Sequence, residues 1–135
     1  EHAISLDPNS TGALVNLGTI YFNTKQFEKA EANYLRAIEA DANYALAHFN
    51  LGNLYDEQGQ REKALEQYQL ALQGNPRYAD AHYNMALLYQ TEGETMKAVL
   101  HWKAYLKLDS GSAWAVIARR ELGKLKDATI VRGRA

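Results

Sequence analysis

Residues 45–78 read ALAHFNLGNLYDEQGQREKALEQYQLALQGNPRY, and this stretch decides the fold because it recurs at a fixed step. A shift of 34 residues in either direction lays like on like. Tyr55 falls midway between Tyr21 and Tyr89, Ala64 between Ala30 and Ala98, and Lys63 between Lys29 and Lys97. Leu51 matches Leu17 and Met85, and Asn50 matches Asn16 and Asn84. Gly52 matches Gly18 and Ala86, and Tyr68 matches Tyr34 and Trp102. Asp7, Asp41, Asn75 and Asp109 mark four boundaries at the same interval. Self-similarity at one period points to stacked copies of a small unit, each burying its apolar face on its neighbour.

Each unit reads as two helices. In the first, Leu14, Leu17 and Tyr21 form one apolar stripe and Ala30, Tyr34, Ala37 and Ile38 a second. Polar turns separate the stripes at residues 23–26, 57–60 and 91–94. Each unit closes on a stop: Asp7-Pro8-Asn9, Asp41-Ala42-Asn43, Asn75-Pro76-Arg77 and Asp109-Ser110-Gly111. Proline cannot extend the preceding helix, and Asp or Asn suits turns and caps. Gly18 and Gly52 sit mid-helix although glycine there costs about 1 kcal/mol relative to alanine. The expectation is close approach of the second helix at Ala30 and Ala64, so that a large side chain at Gly52 destabilises by about 1–3 kcal/mol.

Composition removes several classes. Apolar residues make up 47% of the 135 and charged residues 23%, as in a folded soluble chain. A net charge of -1 excludes a nucleic-acid binder working by bulk positive charge. With no cysteine there is no disulfide, thiolate nucleophile or Cys-based zinc site. No apolar run is long enough to span a bilayer, and Glu1-His2-Ala3-Ile4 is not a signal peptide. A cytoplasmic location and no membrane partner are expected.

These residues resemble the tetratricopeptide repeat family, whose unit has a large residue, Leu-Gly and Tyr in its first helix. Its second helix carries Ala, an aromatic, another Ala and a final Pro. Unit one, residues 11–44, supplies Leu14, Leu17-Gly18, Tyr21, Ala30, Tyr34 and Ala37, with Ala42 at the proline place. Unit two, residues 45–78, supplies His48, Leu51-Gly52, Tyr55, Ala64, Tyr68, Ala71 and Pro76. Unit three, residues 79–112, is looser, with His82, Met85-Ala86, Tyr89, Ala98, Trp102 and Tyr105. The resemblance implies an all-α, right-handed solenoid of antiparallel helix pairs.

Residues 1–10 fit the end of a preceding repeat, with Ala3 in phase with Ala37 and Pro8 with Pro76. The chain is therefore expected to be a piece of a longer protein. Residues 113–126, with Trp114, Ile117 and Leu125 apolar and Arg119, Arg120, Glu121, Lys124 and Lys126 charged, resemble the family's capping helix. Residues 127–135 lack periodicity and are expected to fray.

No hydrolase elbow, phosphate-binding glycine loop or His-Glu-x-x-His is present, so no catalytic residue, cofactor or small-molecule substrate is expected. His48 and His82 share one repeat position but lack the further ligands a metal needs, and no metal site is expected.

The resemblance implies a ligand-binding concave groove lined by the first helices. Its expected lining is Val15, Asn16, Thr19, Phe49, Asn50, Asn53, Asp56, Tyr83, Asn84, Leu87 and Ile117. Asn16, Asn50 and Asn84 form a ladder similar to those of the O-linked N-acetylglucosamine transferase and kinesin light chain superhelices. Asparagine is a poor helix former, and its amide offers the donors and acceptor that a peptide backbone needs. Val15, Phe49, Tyr83 and Ile117 recur one place earlier as an apolar floor, with inter-repeat packing as the alternative role. Asp56, Glu57 and Asp80 favour a ligand with basic residues. The family's carboxylate clamp is not expected, because its places hold Val15, Thr19, Asp80 and Asn84, and only Asn50 fits.

The expected function is a non-enzymatic protein-interaction module that holds an extended peptide or a partner helix. The alternatives are a regulatory C-terminal domain of a bacterial transcription regulator and the substrate-recruiting repeats of a larger enzyme. The stretches 101–106 and 114–122 look like bacterial repeat proteins. Nucleic acid is expected as a partner only through a further domain. Self-association is expected through an exposed end of the solenoid around Ile4 and Leu6.

Overall fold

The computed structural model describes residues 10–134, with side chains described through Asp127. These residues form α1 (Thr11–Asn23), α2 (Phe27–Ala40), α3 (Ala45–Glu57), α4 (Arg61–Gly74), α5 (Ala79–Thr91), α6 (Thr95–Leu108) and α7 (Ala113–Arg134). Among the described residues there is no strand. The expectations for residues 1–9, including Ala3, Ile4, Leu6 and Pro8, lie outside them.

The helices start and stop where local chemistry directs. The Ser10 hydroxyl accepts from the Ala13 N–H at 3.1 Å and caps α1. α2, α4 and α6 end on Asp41, Asn75 and Asp109, each extended with φ near -147° to -149°. The tight turns between paired helices need one left-handed residue. Gly59 and Gly93 take it at φ 76° and 78°, and Lys25 takes the same place at φ 63°. Lysine there pays a steric penalty that glycine does not.

α7 runs on to Arg134, beyond Lys126, where the sequence pattern placed the end of the cap. No proline falls between Lys126 and Arg134, and Gly133 comes only at the end. Helix propagation needs backbone hydrogen bonds, not apolar periodicity, so loss of the stripe did not mark the stop.

The chain divides into two compact units, Glu1–Pro76 and Arg77–Ala135. In the first, α1 packs on α2, α3 on α4, and α3 also lies against α1 and α2. Its core holds Leu14, Ala30, Tyr34 and Ala37 beside Leu51, Leu54, Ala64, Tyr68 and Ala71. In the second, α6 packs between α5 and α7. Its core is Ala86, Ala98, Trp102, Tyr105, Ala115 and Ala118.

The close approach at Gly18 and Gly52 is to a ring, not to Ala30 and Ala64 as expected. A Cβ built on Gly18 would lie 2.7 Å from Cε1 of Tyr34, and one on Gly52 would lie 2.6 Å from Cε1 of Tyr68. Both rings are at most 1% exposed and cannot withdraw. The stripe residue Leu17 differs from its counterparts, being 40% exposed where Leu51 and Met85 are fully covered. Leu51 has α1 and α2 packed on its helix.

Candidate functional site

The first helix of each pair carries the candidate residues, and each unit presents its own face. In the first unit, Asn16 on α1 is exposed and Asn50 on α3 is half-buried. Neither has a side-chain hydrogen-bond partner among the described residues. Both amides are therefore open to a ligand. Phe49 lies beside Asn50, with its ring 5.7 Å from that of Tyr68. Asp56 is exposed one turn further along α3 from Asn53. Partial burial, reinforced by Glu57, pushes its carboxyl above the usual range, and Arg61 opposes this.

Two residues expected to face a ligand bond to the fold instead. The Thr19 hydroxyl lies 3.1 Å from the Tyr34 hydroxyl. One repeat later, the Tyr68 hydroxyl donates to Asn53 Oδ1 at 2.5 Å. Val15 is only 2% exposed and has no surface to give a ligand. It belongs to the buried core of the first unit.

In the second unit, Tyr83 on α5 is ringed by aromatics. Its ring meets Trp102 at 5.0 Å, Tyr105 at 5.2 Å and Trp114 at 5.7 Å, all edge-on. This geometry suits the ring quadrupoles. Trp102 and Tyr105 are buried, whereas Trp114 is 60% exposed. Leu87 is exposed, and Asn84 and Ile117 are half-buried. Trp102 donates its indole N–H to Gln90 Oε1 at 3.0 Å, and Gln90 Nε2 donates to Glu121 at 2.8 Å. Gln90 thus ties the buried indole to α7. Its bond, with Lys124 and Arg120 beside it, holds the Glu121 carboxyl below the usual range.

The two repeat-phase histidines serve different purposes. His48 is buried between Gln67 and the Ala42 carbonyl, with each ring nitrogen 2.8 Å from its partner. Nε2 lies against the Ala42 carbonyl oxygen and Nδ1 against Gln67 Oε1. His82 instead meets His101, Nδ1 to Nδ1, at 3.0 Å. His101 also stacks on Tyr89 at 5.5 Å. Burial, with His82 adding to it, lowers the His101 pKa to about 4. The sequence reading gave His101 no partner. The signal was a second spacing, since residue 101 follows 82 by the same interval at which 67 follows 48. Among the described residues, no three or more His, Cys, Asp or Glu side chains converge to hold a metal ion. No helix among them is long and apolar enough to cross a membrane.

Repeated helix pairs, each locking a ring of the second helix against a small residue of the first, define an α-helical repeat protein. The family model described as Tetratricopeptide repeat matches residues 10–77, and a second model of that description matches residues 67–100. The chain belongs to the tetratricopeptide repeat family, and its fold is an all-α helical-repeat solenoid. The crystal structure of MamA is similar at 30% identity and a TM-score of 0.73, covering 79% of this chain. The chain spans 63% of the length of that MamA chain. A tetratricopeptide repeat protein from Parabacteroides merdae is 28% identical, with a TM-score of 0.78, over 94% of this chain and 50% of its own. The first TPR of Spaghetti (RPAP3), solved bound to an HSP90 peptide, is 20% identical. It aligns over 94% of this chain and 98% of its own at a TM-score of 0.80, a likeness of fold. No curated protein sequence matches the chain. Repeats of this family are generally protein-interaction scaffolds.

Proposed function

We propose that this chain is a non-enzymatic interaction module that binds an extended peptide, or a partner helix, on the faces of its first helices. The observation that carries the reading is the state of the asparagines. Asn16 and Asn50 stand one repeat apart with no side-chain partner among the described residues, while neighbouring Thr19 and Asn53 are hydrogen-bonded to tyrosines. An unpaired amide mid-helix does little for the helix and is suited to a peptide backbone. Phe49 in one unit, and Tyr83, Leu87 and Ile117 in the other, supply apolar ground for ligand side chains. Asp56, Glu57 and Asp80 favour basic residues in that ligand.

The Spaghetti domain bound to its HSP90 peptide is a precedent for peptide binding by this fold. Lys or Arg is absent at the clamp places Val15, Thr19, Asp80 and Asn84, so this chain is assigned a different, more basic ligand. Amide contacts contribute about 0.5–1.5 kcal/mol each, which supports micromolar affinity after ordering costs.

A peptide-library screen on the chain, beside a variant with Asn16→Ala, Asn50→Ala and Asn84→Ala, tests this. The parent is expected to enrich Lys- or Arg-containing peptides at micromolar strength. The variant is expected to lose them while melting at the parental temperature. Equal binding by both, or enrichment of acidic peptides, contradicts the reading.

A further inference from the structure

The second helices carry an outward ridge at the same repeat positions, and its chemistry changes along the chain. On α4 the ridge is Glu62, Glu66, Gln69 and Gln73, all exposed. On α6 the corresponding residues are Met96, Leu100, Lys103 and Lys107. Met96 is 73% exposed and Leu100 64%, more than the other large exposed apolar residues described. They occupy places that hold glutamate in the preceding repeat, so repeat packing does not call for them. The α4 ridge borders a shallow depression of about 380 Å³ lined by Glu62, Leu65, Glu66, Gln69, Leu70 and Gln73. Its leucines are half-buried and form an apolar floor. None of Glu62, Glu66, Lys103 and Lys107 has an ion-pair partner among the described residues.

We propose that the α6 ridge of one copy of this chain docks into the α4 depression of a second copy. Both ridges step by four, three and four residues, so they match in length at about 16 Å. An antiparallel crossing sets Lys107 against Glu62 and Lys103 against Glu66. It also lays Leu100 and Met96 over the Leu70 end of the floor. The parallel crossing would set Met96 and Leu100 on the two carboxylates and is disfavoured. Because the two surfaces differ, the contact is head-to-tail, and copies can add without closing. A contact of one ridge with one shallow depression is small, so association is weak. It uses neither first-helix face and does not depend on the peptide-binding reading.

Sedimentation equilibrium on the chain across concentrations tests the proposal, using exposed positions whose variants keep the fold, as circular dichroism checks. The parent is expected to rise in average mass past the dimer with concentration, more at low salt than at high. Met96→Glu with Leu100→Glu is expected to weaken this at least tenfold. Lys103→Glu with Lys107→Glu, and separately Glu62→Lys with Glu66→Lys, should each remain monomeric alone. Mixed together, those two double variants are complementary at both contacts, native ridge on native face and reversed ridge on reversed face, and are expected to associate as alternating copies whose average mass rises past the dimer as the parent's does. A constant monomer mass for the parent at millimolar concentration would overturn the proposal. So would undiminished association of the Met96–Leu100 variant, or failure of the two charge variants to pair.

Discussion

The second and third repeats share their backbone pattern and differ in how each shared position is used. In the second, Gly52 leaves room for the Tyr68 ring, and the ring's hydroxyl is satisfied by Asn53. In the third, Ala86 replaces the glycine, Trp102 the tyrosine and Leu87 the asparagine, and the indole N–H turns to Gln90. These exchanges belong together, because a buried polar atom must keep a partner. The histidine changes in the same way: His48 has Gln67, while His82 has His101. A 34-residue period thus fixes where each side chain sits, and pairs at intervals near 15 and 19 residues fix what it does.

The largest expected effect that would break this comparison is at Gly52. Leucine there places its first carbon 2.6 Å from the Tyr68 ring. The loss is about 3 kcal/mol, read as a melting temperature lower by some 10 °C or more. Ala86→Gly, at the matching place, is expected to cost only about 1 kcal/mol. Equal effects at the two positions would show that the ring and the small residue are not coupled.

A smaller effect is expected on acidification. The His101 pKa of about 4 lies below the ordinary 6.5, so the unfolded chain takes the proton first as pH falls. Stability contributed by the neutral ring is complete above pH 6.5 and is lost between pH 6.5 and 4. His82 faces the ring across its hydrogen bond, and Tyr89 stacks on it with Lys97 over the tyrosine's ring, so a second positive charge finds no acid there. The loss is about 1–2 kcal/mol, discounted because the ring is partly in water. His101→Gln rebuilds the His48–Gln67 arrangement and is expected to flatten that part of the denaturant-midpoint profile against pH. An unchanged profile would assign the acid sensitivity elsewhere.

The smallest effect sharpens the turn comparison. Lys25 holds the left-handed conformation that Gly59 and Gly93 hold in the following repeats. Lys25→Gly removes the steric penalty but loosens the unfolded chain, for a net gain of about 0.5–1 kcal/mol in urea unfolding.

The fold was legible because backbone requirements repeat. Helix stops at Asp41, Asn75 and Asp109, the alanines at 30, 64 and 98, and the ring positions recur in register. The site was legible in part. The asparagine places lie on first helices, as the period implies, whereas the rings around Tyr83 come from α6 and α7. Bonds to partners on the second helix were not legible, because a search for one period compares a residue with its copies and not with its neighbours. Thr19 and Asn53 looked like ligand contacts for that reason, and Val15 looked like surface although it is packed. The end of α7 was missed because Asp127 onward carries no apolar stripe to trace, and an unbroken helix needs none.

The central claim is that the unpaired amides of Asn16 and Asn50 receive the ligand, while the buried rings of the second helices hold the fold. Side-chain amide NMR during titration with a Lys- or Arg-containing peptide tests it most directly. The account predicts that the Asn16 and Asn50 amide signals move with micromolar saturation while the hydroxyl-bound Asn53 amide moves least. Saturable binding that shifts Asn53 and leaves Asn16 and Asn50 in place would contradict it.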